Sequence, residues 1–554
     1  VRPVLDLHNA NDLKKFRQVA DQTSALVRQF KGSLSAEHGV GIARTEYMRE
    51  QLGDELLGVM REIKRTFDPK SIFNPGKIFA DGSEPDWHRH RIDNHLRENF
   101  TRPLELPFEP VLGFAFKDHS FIGNLEQCNG CGGCLKGTGI MCPTFMATHE
   151  EVMSTRGRAN IVRAALELRV NGRDPLHSAE LDAALSNCLS CKGCTPECPS
   201  NVNLALLKAE LMHARYQRDG LPLRERLFSN IDLLGKIGCA MPSLTNRILN
   251  YRPVRIAMEK AIGISARRSL PYYARTRFDK WFAKHCSRGL RPPDGAHRAP
   301  LQKRGPLILW DDTFVRYHEP HVGIAAVTVL EALGFEVSLA KNRRCCGRPA
   351  FSQGNLDAAS KLGQYNVSQL SSLNYQPSAP PILFLEPSCW SMFVEDYREL
   401  RIDSAEKIAN RCFLFEKFVN DLLEQEPDTL QFKHSSAFAE GLRRDGETKV
   451  VIHPHCHAKS IINPAFMRRL AERLPGRKAT VLDTACCGMA GAFGALAEKY
   501  DLSIQVAQDL IDKLEDQGRE TQIIASGTSC RHQISHLTNI RPKHMAEVLA
   551  EALL

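Results

Sequence analysis

Two cysteine runs of one kind stand close together in the first half of this sequence. The first reads Cys128-Asn-Gly-Cys131-Gly-Gly-Cys134 and continues, after seven residues, with Cys142-Pro143. The second reads Cys188-Leu-Ser-Cys191-Lys-Gly-Cys194-Thr-Pro-Glu-Cys198-Pro199. Three cysteines separated by two residues each surround one iron-sulfur cube, and in two-cluster ferredoxins the fourth cysteine of each run binds the other cluster. The pattern therefore predicts two 4Fe-4S clusters.

The interleaved rule assigns each cysteine to a cluster. One cluster is predicted on Cys128, Cys131, Cys134 and Cys198, and the other on Cys188, Cys191, Cys194 and Cys142. The alternatives are a zinc ribbon or a disulfide framework, and both need pairs of cysteines rather than triplets. Because the last gap of the first run is longer than that of the second, we expect residues 136–141 to bulge out as a loop.

Length and composition limit the class of protein. A chain of 554 residues should hold three or four domains. Eighteen cysteines, mostly in cluster-type spacings, favour metal binding in a reducing cytoplasm over disulfides, and we expect Cys239, Cys286 and Cys412 to be buried apolar side chains. No apolar run approaches the ~20 residues that span a bilayer. The net charge of +9 suits an anionic partner, peripheral contact with the inner face of the cell membrane, or a merely solvated surface.

The first 80 residues contain two predicted helices, over 13–30 and 49–66, around a polar segment. The segment Ser35-Ala-Glu37-His38-Gly39-Val-Gly41-Ile-Ala-Arg44 and the later Phe67-Asp-Pro69-Lys-Ser-Ile-Phe-Asn74-Pro75-Gly76-Lys77 resemble the end of the C-terminal domain of FAD-linked oxidases. The resemblance implies that His38 takes the substrate's hydroxyl proton, that Glu37 helps to hold a metal ion at the substrate, and that Asn74 approaches the flavin. Arg44 is a candidate partner for a substrate carboxylate.

The FAD-binding part of that family has no counterpart in this sequence. We therefore expect residues 1–80 to be the tail of a flavin domain and the chain by itself to hold FAD poorly. The chain also begins with Val1 in what looks like the middle of a domain, so we expect a fragment of a longer protein or a gene with an alternative start codon.

The middle of the chain divides into three segments. Residues 81–119 are predicted to be a polar linker, and residues 120–216 a ferredoxin module of the α-helical kind, which resembles the iron-sulfur subunits of succinate, glycolate and anaerobic glycerol-3-phosphate oxidising enzymes. Residues 217–304 are basic and carry aromatic side chains, including Tyr272, Tyr273, Trp281 and Phe282. Such a segment either lies on an anionic membrane surface or is a solvated helical connector whose aromatic rings pack on the next domain.

The last 250 residues contain an internal repeat. Cys345-Cys346-Gly347 recurs 141 residues later as Cys486-Cys487-Gly488, and Cys389 and Cys530 each follow 43 residues after the pair. Equal gaps indicate duplication. Short apolar runs alternate with amphipathic stretches, which predicts two small parallel α/β units, 305–435 and 436–554, with the cysteines at the carboxyl ends of strands.

This repeat resembles the cysteine-rich CCG domain of heterodisulfide reductases and of the glycolate oxidase iron-sulfur subunit. The second copy has four cysteines, and we expect them to bind a third iron-sulfur cluster or a zinc ion: Cys456, Cys486, Cys487 and Cys530. The first copy has three, and should bind no cluster unless Asp312 or His318 supplies the fourth ligand. The histidines beside Cys456 are expected to form hydrogen bonds rather than to bind metal.

The predicted fold class is a multidomain α/β protein with an α-helical ferredoxin module and two parallel CCG repeats. The domain order resembles the C-terminal part of bacterial FAD and iron-sulfur D-2-hydroxyacid dehydrogenases. The resemblance implies oxidation of a D-2-hydroxyglutarate, D-lactate or glycolate class substrate, with electrons passing from FAD through the clusters to a quinone or other acceptor. The alternatives are an electron-transfer subunit without its own substrate site and a heterodisulfide-reductase-like enzyme. No motif that reads RNA or DNA accompanies the basic segment, so we expect no nucleic-acid partner.

Overall fold

A computed structural model describes most of the chain. The described residues are 3–7, 9–79, 91–93, 106–114, 119–167, 174, 176–287, 303–371, 379–433, 448–518 and 520–554. The chain forms two compact units, Val1–Glu105 and Leu106–Leu554. The predicted linker over 81–119 lies largely outside the described residues, as do Arg288, Arg291 and the boundary between the two predicted repeats near residue 435.

The first unit consists of two long helices around an irregular segment. They are α1 (Ala10–Gln29) and α2 (Met48–Phe67), close to their predicted positions, and α2 is kinked at Gly53, where φ is 78°. The large apolar side chains that are buried here among the described residues are Tyr47, Met48 and Leu57. Many others are exposed: Val19, Leu26, Phe30, Leu56, Val59, Ile63, Phe67, Ile72 and Phe73. The described part of the unit thus has a small core.

The second unit opens with the predicted helical module. Its helices are α3 (Phe121–Glu126), α4 (Pro143–Thr148), α5 (Thr155–Glu167), α6 (Ala179–Ser186), α7 (Cys194–Glu197) and α8 (Leu204–Asp219). Three of them start at side-chain caps, in which Ser120, Ser178 and Asn203 accept a hydrogen bond from a backbone N–H of the first turn. No strand interrupts residues 119–167 or 176–219, so the module is α-helical as predicted.

Five helices connect this module to the repeats. They are α9 (Leu223–Ser229), α10 (Ile231–Gly238), α11 (Pro242–Asn250), α12 (Arg252–Ile262) and α13 (Phe278–Ser287). Phe278 and Phe282 are buried in the core of the repeats and Trp281 packs beside them, so this end of the segment is the predicted connector. The prediction for Cys286 is wrong, because it is exposed at the end of α13, whereas Cys412 is buried and Cys239 is half-buried. Within the described helices, none combines the length and the apolar composition that crossing a bilayer requires.

The first repeat is a parallel four-stranded sheet with helices around it. Its strands are β1 (Pro306–Trp310), β2 (Glu336–Leu339), β3 (Ile382–Phe384) and β4 (Cys412–Leu414), in the order β2-β1-β3-β4. Its helices are α14 (Thr313–Tyr317), α15 (Pro320–Ala332), α16 (Arg348–Ser352), α17 (Leu356–Ser371), α18 (Pro387–Ser391), α19 (Tyr397–Glu399), α20 (Ala405–Ala409) and α21 (Phe415–Gln425).

The second repeat has the same topology. Its strands β5 (Thr448–His453), β6 (Arg477–Val481) and β7 (Gln522–Ala525) are parallel in the order β6-β5-β7. A single parallel bridge between Ile524 and Lys543 stands where β4 stands in the first repeat. Its helices are α22 (Cys456–Lys459), α23 (Ala465–Glu472), α24 (Tyr500–Glu515), α25 (Thr528–Leu537) and α26 (Met545–Ala552). The matching strand orders support the predicted duplication.

The two repeats share one hydrophobic core. Helices α15 and α21 of the first repeat pack against α26 and α23 of the second, and Val329, Leu423, Leu470 and Leu549 are buried between them. Burying a side chain of this size contributes roughly 2 kcal/mol, so the core binds the repeats into one body. The carboxyl ends of their strands carry the cysteines.

Candidate metal centres

Four cysteines of the two runs surround one cavity. Cys128, Cys131, Cys134 and Cys198 line this pocket together. The backbone N–H of Arg156 donates to Cys134 Sγ at 3.3 Å, and the N–H of Gly133 lies 3.5 Å from Cys131 Sγ. Donors of this kind favour the thiolate, which is the form that binds metal. The convergence of four thiols fits the donor set of a 4Fe-4S cluster and matches the interleaved prediction.

The predicted bulge in the first run is present and has a specific support. The carboxylate of Glu197 accepts hydrogen bonds from the backbone N–H groups of Ile140 at 2.7 Å and Met141 at 3.2 Å. Glu197 immediately precedes Cys198, so the second run holds the loop of the first. Cys142 follows with φ of 55°, a left-handed conformation that turns the chain into α4.

The remaining cysteines of the runs form a second, more deeply buried set. Burial, together with the neighbouring sulfurs of Cys142 and Cys188, raises the pKa of the Cys194 thiol to about 12. Burial also raises the pKa of Cys191, with contributions from Cys456, Cys194 and Cys188. Cys142 Sγ lies 2.9 Å from the Thr155 hydroxyl. The structure thus brings together the four cysteines predicted for the second cluster.

A third thiol set lies at the strand ends of the second repeat. Cys456 follows β5, Cys486 and Cys487 follow β6, and Cys530 follows β7. Cys486 packs with Cys456, and Cys487 packs with Cys530. The contact with Cys486, assisted by His455 and Lys459, lowers the pKa of Cys456 to about 6 despite its burial. Four sulfurs that meet in this way fit a soft metal centre.

The three histidines around Cys456 have other partners. His453 Nδ1 lies 2.8 Å from Thr484 Oγ1, and His457 Nδ1 lies 2.9 Å from Ser391 Oγ in the first repeat. His455 Nδ1 accepts from the backbone N–H of His457 at 3.1 Å. All three side chains therefore form hydrogen bonds, as the sequence predicted. Among the described side chains, no group of three or more His, Cys, Asp or Glu has the geometry of a preformed site for a single metal ion.

The first repeat brings three thiols and one carboxylate together. Cys346 Sγ lies 3.1 Å from Cys389 Sγ, and Cys345 contacts Cys346. Asp312 follows β1 and caps α14 through Oδ1, whereas its buried Oδ2 has no hydrogen-bond partner in the described part of the chain. Burial and the nearby Glu386 raise the pKa of Asp312 to about 7, and Asp312 in turn raises that of Cys389.

His318, the other candidate fourth ligand of the first repeat, is turned elsewhere. Its Nδ1 lies 3.0 Å from the carbonyl oxygen of Tyr272, and its ring packs against Tyr273 and Phe314. Of the two side chains considered from the sequence, only Asp312 is therefore placed beside the thiols.

The second cysteine run touches both repeats. Leu189 and Cys191 pack with Cys456, Cys486 and Phe493 of the second repeat. The second buried set of the ferredoxin module and the thiol set of the second repeat are therefore neighbours.

Lys192 joins the same run to the first repeat. The Lys192 side chain is only 4% exposed. Its Nζ atom lies 2.6 Å from Glu395 Oε2 and 2.7 Å from Asp396 Oδ2. Arg348 pairs with the same Asp396. Lys192 and Glu197 were not predicted as site residues, because a charged residue between cysteines is usually solvated.

The candidate substrate residues lie open in the first unit. His38 and Glu37 have side chains that are 79% and 83% exposed, with His38 Nε2 3.7 Å from Glu37 Oε2. Arg44 donates to the Gly39 carbonyl at 2.9 Å. Asn74 is exposed in the loop after α2, with φ of 51°, and forms no hydrogen bond with the other three. Among the described residues of the unit, His38 and Glu37 are thus open to water.

Family models match three parts of the chain. The C-terminal domain of FAD linked oxidases matches residues 1–78, a 4Fe-4S dicluster domain matches 124–202, and the cysteine-rich CCG domain matches 313–393 and 450–535. The chain is thus built from the three kinds of domain that it resembles, and the predicted dicluster module and duplicated repeat are confirmed.

Curated proteins are similar to this chain over most or all of its length. D-2-hydroxyglutarate dehydrogenase of Pseudomonas putida is 27% identical over the whole chain, which covers 54% of the relative, and that of Escherichia coli is 24% identical with the same coverage. The glycolate oxidase iron-sulfur subunit of Escherichia coli is 23% identical over 77% of the chain and 94% of the relative. The chain spans about half the length of the dehydrogenases it matches.

Proposed function

We propose that this chain is the iron-sulfur electron-transfer portion of a flavin-dependent D-2-hydroxyacid dehydrogenase, of the D-2-hydroxyglutarate, D-lactate or glycolate class. The packing of Cys191 and Cys456 against one shared cluster of Leu189, Cys486 and Phe493 carries the proposal, because it joins the dicluster module to the thiol set of the second repeat. Each 4Fe-4S cluster, when bound, passes electrons one at a time. The residues of the chain fix the order of the centres and their separation from water.

The proposed cluster ligands follow the thiol sets. Cys128, Cys131, Cys134 and Cys198 would hold the first cluster, and Cys142, Cys188, Cys191 and Cys194 the second. Cys456, Cys486, Cys487 and Cys530 would hold a third cluster or a zinc ion. The N–H groups directed at Cys131 and Cys134 support the first assignment, since hydrogen bonds to the sulfurs help to set the potential of a cluster.

The first unit is proposed to complete a flavin and substrate site supplied by another part of the protein. Its exposed apolar side chains, among them Phe30, Phe67 and Phe73, form the contact surface for that part. In the assembled site, His38 would take the hydroxyl proton of the substrate, Glu37 would help to hold a metal ion, Arg44 would pair with a carboxylate and Asn74 would face FAD.

Replacing His38 by Ala tests this assignment in the chain combined with its FAD-binding part. We expect turnover of the 2-hydroxy acid to fall at least ~100-fold, as for loss of a general base, with an unchanged iron-sulfur EPR signal. Lys14→Ala, at an exposed position of α1, is the control and should leave turnover unchanged. Equal turnover in His38→Ala and the parent would refute the role of His38.

A second candidate is an electron-transfer subunit that serves a separate flavoprotein. The exposure of Glu37 and His38 favours it. It predicts that adding FAD and a 2-hydroxy acid to the chain leaves its clusters oxidised until a flavoprotein partner is also added. The result should be the same for His38→Ala and the parent. In both schemes the acceptor is a quinone or another electron acceptor, and contact with a membrane is peripheral.

A further inference from the structure

The exposed apolar side chains of the second unit are concentrated in one segment. Eleven large apolar residues are exposed in its described part, and all except Phe413 and Leu554 lie between residues 223 and 272. They are Leu223, Leu233, Ile237, Met241, Leu244, Ile248, Tyr251, Ile256 and Tyr272, each between 42% and 64% exposed. We call these nine side chains, together with the exposed basic residues among them, the connector face. A concentration of this kind marks an interaction surface.

The helices of the connector present these residues because their opposite sides are anchored. On α10, a Cβ atom at Gly235 would lie 2.5 Å from the Tyr317 ring, and one at Gly238 would lie 2.3 Å from the Tyr273 ring. The glycines therefore let this side of α10 pack directly on two tyrosines. Leu233 and Ile237, one turn apart, are left on the exposed side.

The next two helices are anchored by polar side chains. The Asn246 side chain of α11 exchanges hydrogen bonds with the Tyr273 backbone at 2.9 Å in both directions. On α12, the buried Arg255 donates to carbonyl groups of Ser265 and Arg268. These hydrogen bonds hold the polar side of each helix against the protein. Leu244, Ile248 and Ile256 therefore remain exposed to water.

The charges at the connector face have one sign. All residues from 223 to 262 are described, and the exposed charged ones are Arg226, Lys236, Arg247, Arg252 and Lys260. The three carboxylates of this range are turned inward. Glu225 is buried, Asp232 lies 2.6 Å from the Arg343 guanidinium, and Glu259 accepts from the backbone N–H of Ala266.

We infer that the connector face docks on an anionic lipid surface. Amphipathic helices with an apolar side, basic neighbours and exposed tyrosines bind at the boundary between headgroups and acyl chains. Because the carboxylates of residues 223–262 are turned away from the connector face, this face suits a partner whose surface is uniformly negative. A second copy of this chain is a poorer occupant, because a two-fold contact would bring the five cations against one another. The connector face is separate from the thiol sets. Docking there would place the proposed electron-transfer protein at a membrane surface.

Vesicle sedimentation with the anaerobically purified full chain tests the inference. We expect binding to vesicles of phosphatidylcholine with phosphatidylglycerol, little binding to phosphatidylcholine alone, and release by salt. The variant Leu233→Ser with Ile237→Ser should weaken binding at least about tenfold. Lys236→Glu with Arg247→Glu should weaken it similarly and reduce its dependence on salt.

Matched controls keep the result specific. Phe413→Ser removes an exposed aromatic ring elsewhere, and Lys361→Glu with Lys407→Glu makes the same charge change outside the connector face; both should bind like the parent. Iron content, measured on each preparation, separates a loss of fold or clusters from a loss of docking. The inference would be overturned by equal binding to neutral and anionic vesicles, or by connector variants that bind like the parent. It would also be overturned if the only effect of those variants were a loss of self-association, measured by ultracentrifugation.

Discussion

At the scale of single residues, the placement of Cys198 supports the proposal of interleaved clusters over clusters built within one run. Cys198 lines the cavity of Cys128, Cys131 and Cys134, although it lies 64 positions after Cys134 in the sequence. Glu197 explains how this is maintained, because it binds the loop of the first run while Cys198 reaches its cavity. The cysteine spacing was sufficient to predict the thiol set, but nothing in the spacing indicated the role of Glu197.

Substitution of Cys198 by Ser provides a residue-level prediction. We expect its reduced EPR spectrum to lose the same cluster signal as Cys131→Ser and to keep the signal that Cys191→Ser loses, because Cys198 and Cys131 share a cavity. Cys286→Ser, exposed and outside all three thiol sets, is the matched control and should retain the parent spectrum. A spectrum of Cys198→Ser that matches Cys191→Ser instead would show that each run binds its own cluster.

At the scale of elements, apolar patterning indicated that strands and helices alternate in the repeats, but two strands gave no such signal. The long apolar strands β1 and β5 stood out in the sequence, but Glu336-Val-Ser-Leu339 and Cys412-Phe-Leu414 did not. Both exceptions are short edge strands, and such segments carry too few apolar residues for a periodic signal. Each is stabilised by pairing with a neighbouring strand that is distant in sequence.

The contact of the second cysteine run with the first repeat depends on one buried cation. We predict that Lys192→Met lowers the free energy of unfolding by about 3 kcal/mol, because Glu395 and Asp396 lose a buried partner and Arg348 neutralises only one of them. Urea unfolding followed by protein fluorescence and cluster absorbance measures the change.

Arg468→Met is the control for this prediction, since Arg468 is 59% exposed and pairs with Glu472 at 3.7 Å. Its effect should stay below about 1 kcal/mol. A similar small effect for Lys192→Met would mean that the apolar contacts around Cys191 hold the run in place without the ion pair.

At the scale of the whole molecule, the domain order was predictable but the contacts between domains were not. Motifs identified the FAD-linked oxidase end, the dicluster module and the duplicated repeat separately. The junction of Cys191 with Cys456 joins segments 265 residues apart, and no local pattern of either segment encodes it. The open position of His38 was also unpredictable, since the resemblance implied only its role.

The most direct test of the account is an iron, sulfide and zinc determination on the anaerobically purified chain, with low-temperature EPR before and after dithionite. We predict about eight iron atoms in two interacting clusters on the ferredoxin runs. The second repeat should add either four more iron atoms or one zinc ion, lost in Cys530→Ser. Eight iron atoms without zinc would contradict the metal centre in the second repeat, and iron near zero would contradict the electron-transfer function as a whole.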